Sequence, residues 1–459
     1  MRVAGLIGVV SLVLATTPVA RALDLAEVWR GAALHDPEFA AALAAHEAGM
    51  SHLMQAGALW RPSVQLEGGV ARADSEDRVR GAAFAGPGFG STRGAAFDTS
   101  ITDGTGTRIV LAVRQPLINR ERKAEGRQLE IAADVAEIEW LDARQALILR
   151  SAERYFDVAL AIEQLRLVTR QQVAVDQALV EAQDRFRIGD RPMTDTHEAT
   201  ARAATLSSRR LAAETDLELK RVALSNLIGL RTVDMPLNLP ASAPRSDDVG
   251  ALAGWLEQVH QHNPGLRVAE ARLRAAEQEQ RKTSGVLSPS LDLVARIGHE
   301  RLSGSGDFGG ASATSNFRAI GVQLNLPLYT GGWRGARQTE ARALVAQAQA
   351  DLDRARQQVA LQTRSAWLEL AVGSSQESAL AAAATASLAR LDATRVGRRV
   401  GDRTTQDLLD AENDAAAAEL GLAQARVHLL TTRLRLFALG GQLDDTHLSR
   451  LDVALRTGQ

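Results

Sequence analysis

The chain has 459 residues, 45% of them hydrophobic and 24% charged, with a formal net charge of −2. That composition is globular rather than disordered, and so small a net charge gives no sign of a polyanion-binding surface. Cysteine is absent, which excludes disulfides, thiol catalysis, cysteine metal sites and a lipidated N-terminal cysteine.

The N-terminus reads as a secretory signal over residues 1–22. Arg2 supplies the positive segment, Val3 to Leu14 the apolar run, and Ala20-Arg21-Ala22 the cleavage motif. Beyond it no apolar run reaches roughly 18 residues, so residence in a membrane would require a β-barrel.

The mature chain repeats its landmarks. Asp36-Pro37 returns as Asn263-Pro264, and Pro62-Ser63 as Pro289-Ser290. Arg114 to Leu117 is echoed by Asn325 to Leu328, and Ile188 to Arg191 by Val400 to Arg403. Offsets of roughly 210–230 residues are far too long for a solenoid and predict two copies of one structural half. The halves are read as 23–235 and 251–441, joined by a linker at 236–250 and followed by a tail at 442–459.

Each half begins with a helical stretch, Leu25 to Leu59 and Leu252 to Leu287. Alternating strand segments follow: Ser63 to Arg72 and Arg108 to Gln115 in the first half, Ser290 to His299 and Asn316 to Leu326 in the second. Their apolar/polar alternation fits barrel strands that face lipid on one side and a lumen on the other. The Gly-, Ser- and Ala-rich links, Ala73 to Thr107 and Arg301 to Ser315, read as mobile external loops. Rim aromatics are few: Trp60, Phe97, Phe317, Tyr329 and Trp333. Four strands cannot close a barrel, which needs about eight, whereas three chains would supply about twelve.

A very long helix comes next in each half. In the first, Ile131, Val135 and Ile138, then Tyr155, Val158 and Ile162, step by threes and fours, with neither Gly nor Pro between Arg127 and Ile188. From Asn119 to Gly189 it would span roughly 100 Å, a length suited to a coiled coil or tunnel. Gly189 and Gly401 suit left-handed turns, Pro192 a helix start, and Thr194-Asp195 and Thr404-Thr405 helix caps. Each half therefore ends in a helical hairpin with its tip at Ile188-Gly189-Asp190 or Val400-Gly401-Asp402.

These segments look familiar together. Leu25-Ala26-Glu27-Val28, Asp36-Pro37 and Arg61-Pro62-Ser63 resemble the start of mature TolC-family proteins. Leu326 to Gly332 resembles the family's entry to its second long helix, and Arg399 to Arg403 with Asp407 to Ala411 resembles its second tip. The resemblance implies an α+β fold, mainly long α-helices, in which a trimeric helical barrel joins a 12-stranded transmembrane β-barrel, four strands per chain. It implies a homotrimer in the bacterial outer membrane, in contact with its lipid, extending into the periplasm. Its partners would be a periplasmic membrane-fusion adaptor and an inner-membrane transporter, ABC or proton-driven. Type I protein secretion and drug efflux both use this design, and the linker and tail would form an equatorial part.

The resemblance also implies a gate. Asp407 and Asp410, at i and i+3, fall where family members carry the aspartates of the entrance constriction. Arg403 and Asp195 fall at links that hold the entrance closed. Arg398 stands where the best-known member has a tyrosine, and it could pair with Asp195 instead. The two tips would dock the adaptor. No GxSxG, HExxH or phosphate-loop motif is present. No enzyme, metal, cofactor or nucleic-acid partner is expected, and His260 and His262 read as surface residues. The rival reading is a soluble periplasmic coiled-coil adaptor or scaffold.

Overall fold

The computed structural model describes residues 23–88, 90–190, 192–230, 237–242, 249–283, 289–307 and 309–456. The expected signal at 1–22, Arg191, Pro236 and residues 243–248 of the linker, and 457–459 of the tail lie outside them. The element order is α1 (Leu25–His35), α2 (Pro37–Ala58), β1 (Ser63–Gly86), β2 (Gly90–Asn119), α3 (Arg120–Arg187) and α4 (Met193–Ile228). It continues with α5 (Leu252–His262), α6 (Pro264–Thr283), β3 (Ser290–Gly306), β4 (Gly309–Asn325), α7 (Trp333–Val400), α8 (Thr405–Leu439) and α9 (Asp445–Arg456). The sequence of two helices, two strands, a long helix and a return helix thus occurs twice. The chain divides into two compact units, one of residues up to Glu47 with Glu137–Val268 and Leu352 onward, the other of Ala48–Ala136 with Ala269–Asp351.

The opening helical stretches are each broken where the sequence reading ran them straight through. A residue before proline is pushed out of the helical region by the proline ring. Asp36 accordingly sits at φ −71°, ψ 117° and Asn263 at φ −61°, ψ 124°, each ending its helix. Pro37 and Pro264 then open α2 and α6, where their missing N–H costs nothing. The two breaks are held by different chemistry. The buried Asp36 carboxylate pairs with Arg150 of α3. Asn263 instead donates from Nδ2 to the Leu439 carbonyl at 3.0 Å and accepts the Leu266 N–H at 3.0 Å.

In the first unit the core gathers α1, α3, α4, α8 and α9 around Leu25, Val28, Leu147, Phe156, Leu224 and Leu448. Tyr155 lies within it. Its hydroxyl accepts the Asn238 N–H at 2.9 Å, and burial pushes its pKa up to about 12. The C-terminal helix is fastened to the start of α1 by Asp452, whose two carboxylate oxygens accept the Leu25 and Ala26 N–H groups at 2.8 and 2.9 Å. Those N–H groups have no partner inside their own helix. Asp452→Ala is therefore expected to destabilise this unit by about 2–3 kcal/mol. The check is a lower unfolding midpoint together with faster proteolytic release of α9.

The second unit carries one antiparallel sheet in the order β1-β2-β3-β4. Its strands are 24, 30, 17 and 17 residues long, so the segments read as mobile loops are strands. Ala73 pairs with Gly104 and Arg301 with Thr314, and pairing continues to Gly86–Gly90 and Gly306–Gly309. These stretches are rich in Gly, Ala, Ser and Thr, and their few large apolar side chains do not alternate regularly, yet small residues complete a backbone ladder equally well. The β1–β2 ladder is interrupted between Ala73 and Ser75 and twice between Val79 and Ala83.

Register sorts the sheet into two faces. Val64, Leu66, Leu111, Val113, Ile297, Ile320 and Val322 share one; Gln65, Glu67, Arg108, Arg114, Asp292, Arg296 and Gln323 share the other. On the polar face Asp292, only 2% exposed, pairs with Arg114, and Arg108 meets Glu300 at 3.0 Å. Phe317 belongs to the polar face, its ring lying over Gly298, and so is no outward rim aromatic. Tyr329 and Trp333 are exposed, while the side chain of Phe97 lies outside the described residues. Among the described residues no helix is long and apolar enough to cross a membrane.

Candidate functional site: the hairpin tips

Both hairpin tips are built on the same turn. Gly189 and Gly401 adopt φ of 76° and 85°, which glycine reaches without strain. In each, the next residue's N–H reaches back to close the helix end: Asp190 to the Arg185 carbonyl at 2.9 Å, and Asp402 to the Gly397 carbonyl at 2.8 Å. The turns present Ile188 and Val400 almost bare, 77% and 75% exposed. Each tip thus carries one exposed apolar side chain.

The return helices start differently. Thr404 caps α8: its hydroxyl oxygen accepts the Asp407 N–H at 3.1 Å, while Asp407 Oδ2 accepts the Thr404 N–H at 2.9 Å. Asp407 thus closes a capping box, legible in the sequence as Thr-x-x-Asp but read there only as a channel-lining acid. Hydrogen bonds from the Thr404 backbone and hydroxyl hold its carboxyl below the usual 3.8. The stabilisation this brings is fully present above the ordinary carboxylate pKa and is lost as pH falls through the depressed folded value. In α4 the cap position is Pro192, with no side-chain hydrogen bond, so Thr194 and Asp195 sit inside the first turn rather than capping it.

The expected gate residues are brought into one neighbourhood with different pairings. A cleft at the tips is lined by Asp195, Arg398, Arg403, Glu181 and Arg202 among others. Arg398 of α7 does not pair with Asp195; its carboxylate partner is Glu181 of α3, which also takes Arg185 at 2.8 Å. Glu181 lies on the long helix α3 and Asp195 on the return helix α4, and both line the same cleft as Arg398. Glu181 carried no motif, and a pairing across 217 residues has no local sequence signal. Asp410 meets Arg202 of α4 at 3.2 Å, and Leu409 packs among Val175, Ala178 and Leu206. Arg403 is exposed and acts on Asp407 through its charge.

Above the tips the ion pairs continue. Glu412 of α8 meets Arg395 of α7 at 2.5 Å and lies 3.8 Å from Arg170 of α3. Glu419 takes Arg170 at 2.8 Å and Arg166 at 3.2 Å. Nothing in this arrangement joins a nucleophile to a base. It links the two helical hairpins by several ion pairs.

Known proteins resemble this chain over most of its length. The family model described as outer membrane efflux protein matches residues 29–230 and 255–442. The chain is 28% identical over 333 residues to the outer membrane protein TolC of Escherichia coli, covering 71% of this chain and 67% of that protein. It is 26% identical over 436 residues to the proteases secretion protein PrtF of Dickeya chrysanthemi, covering 94% and 91%. Among solved structures, the outer membrane protein VceC of Vibrio cholerae superposes with a TM-score of 0.68 at 19% identity, over 92% of this chain and 97% of that one. The last is a likeness of fold.

Proposed function

The chain belongs to the outer membrane efflux protein family, and from that premise we propose that three copies form one conduit whose periplasmic entrance is closed by the two hairpin tips. The protein is an outer-membrane channel for efflux or type I secretion, not an enzyme. The observation that carries the trimer is the sheet. Four strands with one apolar and one polar face leave β1 and β4 as open edges, and open edges do not persist in a bilayer. Three such sheets joined β4 to β1 make a closed ring of about twelve strands, apolar outward and polar inward.

The linker at 236–250 and the tail at 442–459 form the equatorial part, in which α9 packs against α1. Ile188, Gly189 and Asp190 with Val400, Gly401 and Asp402 receive the helical tip of a periplasmic adaptor, which couples the conduit to an inner-membrane transporter. One relative matched over almost the whole chain bears a protease-secretion name, which favours protein cargo. Asp407 and Asp410 from three copies ring the entrance, attracting cations and repelling anions. Arg398, Arg403 and Asp195 bias it toward closure.

The test is the detergent-extracted protein in a planar bilayer. A trimer by mass with discrete, cation-selective conductance is expected. Asp407→Ala with Asp410→Ala should move the reversal potential toward the unselective value; unchanged selectivity removes the ring from its role.

A further inference from the structure

Opening a tip closure requires one part of the second hairpin to move while another stays fixed, and the contacts along α8 differ sharply in what their rupture would cost. At the tip side, Arg398–Glu181 and Arg202–Asp410 are partly solvated, and Leu409 makes a small apolar contact. Water takes over much of what such ion pairs lose. Glu412 is different. It is the one buried carboxylate of α8, 5% exposed; its Oε1 takes Arg395 at 2.5 Å, and its Oε2 lies 3.8 Å from Arg170, an electrostatic contact without a hydrogen bond. Stripping a buried carboxylate of its cations leaves an uncompensated charge, which is far costlier. Just above it, Gln171 donates to Asn413 Oδ1 at 3.4 Å, Arg390 meets Asp414 at 2.7 Å, and Glu419 holds Arg166 and Arg170.

The neighbouring helix supplies an independent mark at the same level. Gly397 lies in α7 between Arg395, tied to Glu412, and Arg398, tied to Glu181. Glycine inside a helix lowers its resistance to bending. One glycine of α7 thus falls between the contact to Glu412 and the contact to Glu181.

We propose that Glu412 is a positioning residue that fixes the pivot of the gate: the segment from Arg398 to Asp410 swings about Gly397, while α8 from Glu412 onward stays clamped to α3 and α7. The inference rests on the gated-conduit reading above. It names a residue outside the expected constriction and gives the moving part a boundary.

The absence of native cysteine allows the boundary to be mapped with introduced pairs in the full-length trimer. Cross-linking Arg202→Cys to Asp410→Cys, below the pivot, should abolish opening in planar bilayers. Cross-linking Gln171→Cys to Asn413→Cys, above it, should leave conductance unchanged, because that level does not move. If the upper cross-link also abolishes opening, the pivot lies higher and the assignment to Glu412 is wrong. Glu412→Gln should raise closed-state leak roughly tenfold and make the upper cross-link inhibitory, while Glu412→Asp, which keeps a carboxylate between Arg395 and Arg170, retains a tight closure. A Glu412→Gln trimer that is merely less heat-stable, with the same leak and the same cross-link pattern, also overturns the proposal. A wild-type trimer that never conducts would instead sink the conduit reading itself.

Discussion

Arg398→Glu should leave the periplasmic entrance open. In the wild type the Arg398 guanidinium and the Glu181 carboxylate join α7 to α3, with side chains 31% and 26% exposed. Two unit charges about 4 Å apart interact by about 4 kcal/mol at the effective dielectric of a protein surface. Solvent and side-chain entropy reduce the net worth of such a pair to about 1 kcal/mol. Reversal does more than remove it: two carboxylates then face each other, and Arg185 at 2.8 Å from Glu181 neutralises only one. A swing of about 2 kcal/mol per chain, repeated in three chains that open together, amounts to about 6 kcal/mol. That is enough to carry a mostly closed population to a mostly open one. The expected readings are a large rise in resting conductance and entry of bulky antibiotics into cells that otherwise exclude them. Adding Glu181→Arg should restore closure by rebuilding the pair in reverse. A resting conductance equal to the wild type would show that this link does not hold the gate.

How far such a site can be read in advance depends on the range of the interaction that makes it. The tips were legible because a left-handed turn needs glycine, and Gly189 and Gly401 have the required φ. The breaks at Asp36 and Asn263 were also within reach, since the proline ring acts on its immediate neighbour, although the hydrophobic period running across them masked the break. The strands beyond Ala73 and Arg301 were not legible, because small residues leave no amphipathic trace even where the ladder continues. Phe317 went astray for a related reason: its face is set by register against Gly298, one residue out from the apolar set. The carboxylates were hardest. Asp407 and Asp410 stand out in the sequence by their spacing, but a carboxylate's partner is chosen by how distant helices pack. Glu181, Arg202 and Glu412 became visible only once α3, α4, α7 and α8 were in place.

Val322→Arg tests the faces of the sheet, and here ordinary soluble-protein reasoning and the membrane assignment give opposite answers. Val322 is 61% exposed within the chain and stands opposite Leu293 on the apolar face. On a water-facing sheet, substitution at so exposed a site would change stability by no more than about 0.5 kcal/mol. On a lipid-facing barrel wall an arginine near the midplane costs about 2–4 kcal/mol, and three copies would add to about 6–12 kcal/mol per barrel. The variant should therefore fail to reach the outer membrane as a heat-resistant trimer and should accumulate in the periplasm. The adjacent Gln323→Arg places the same charge on the opposite face, beside Asp292 and its partner Arg114, and should insert normally. Because the two positions are neighbours in one strand, local β-propensity and edge effects are shared, and only the side of the wall differs. Equal tolerance of both would mean that the apolar face does not meet lipid, and the sheet would then need another partner to cover it.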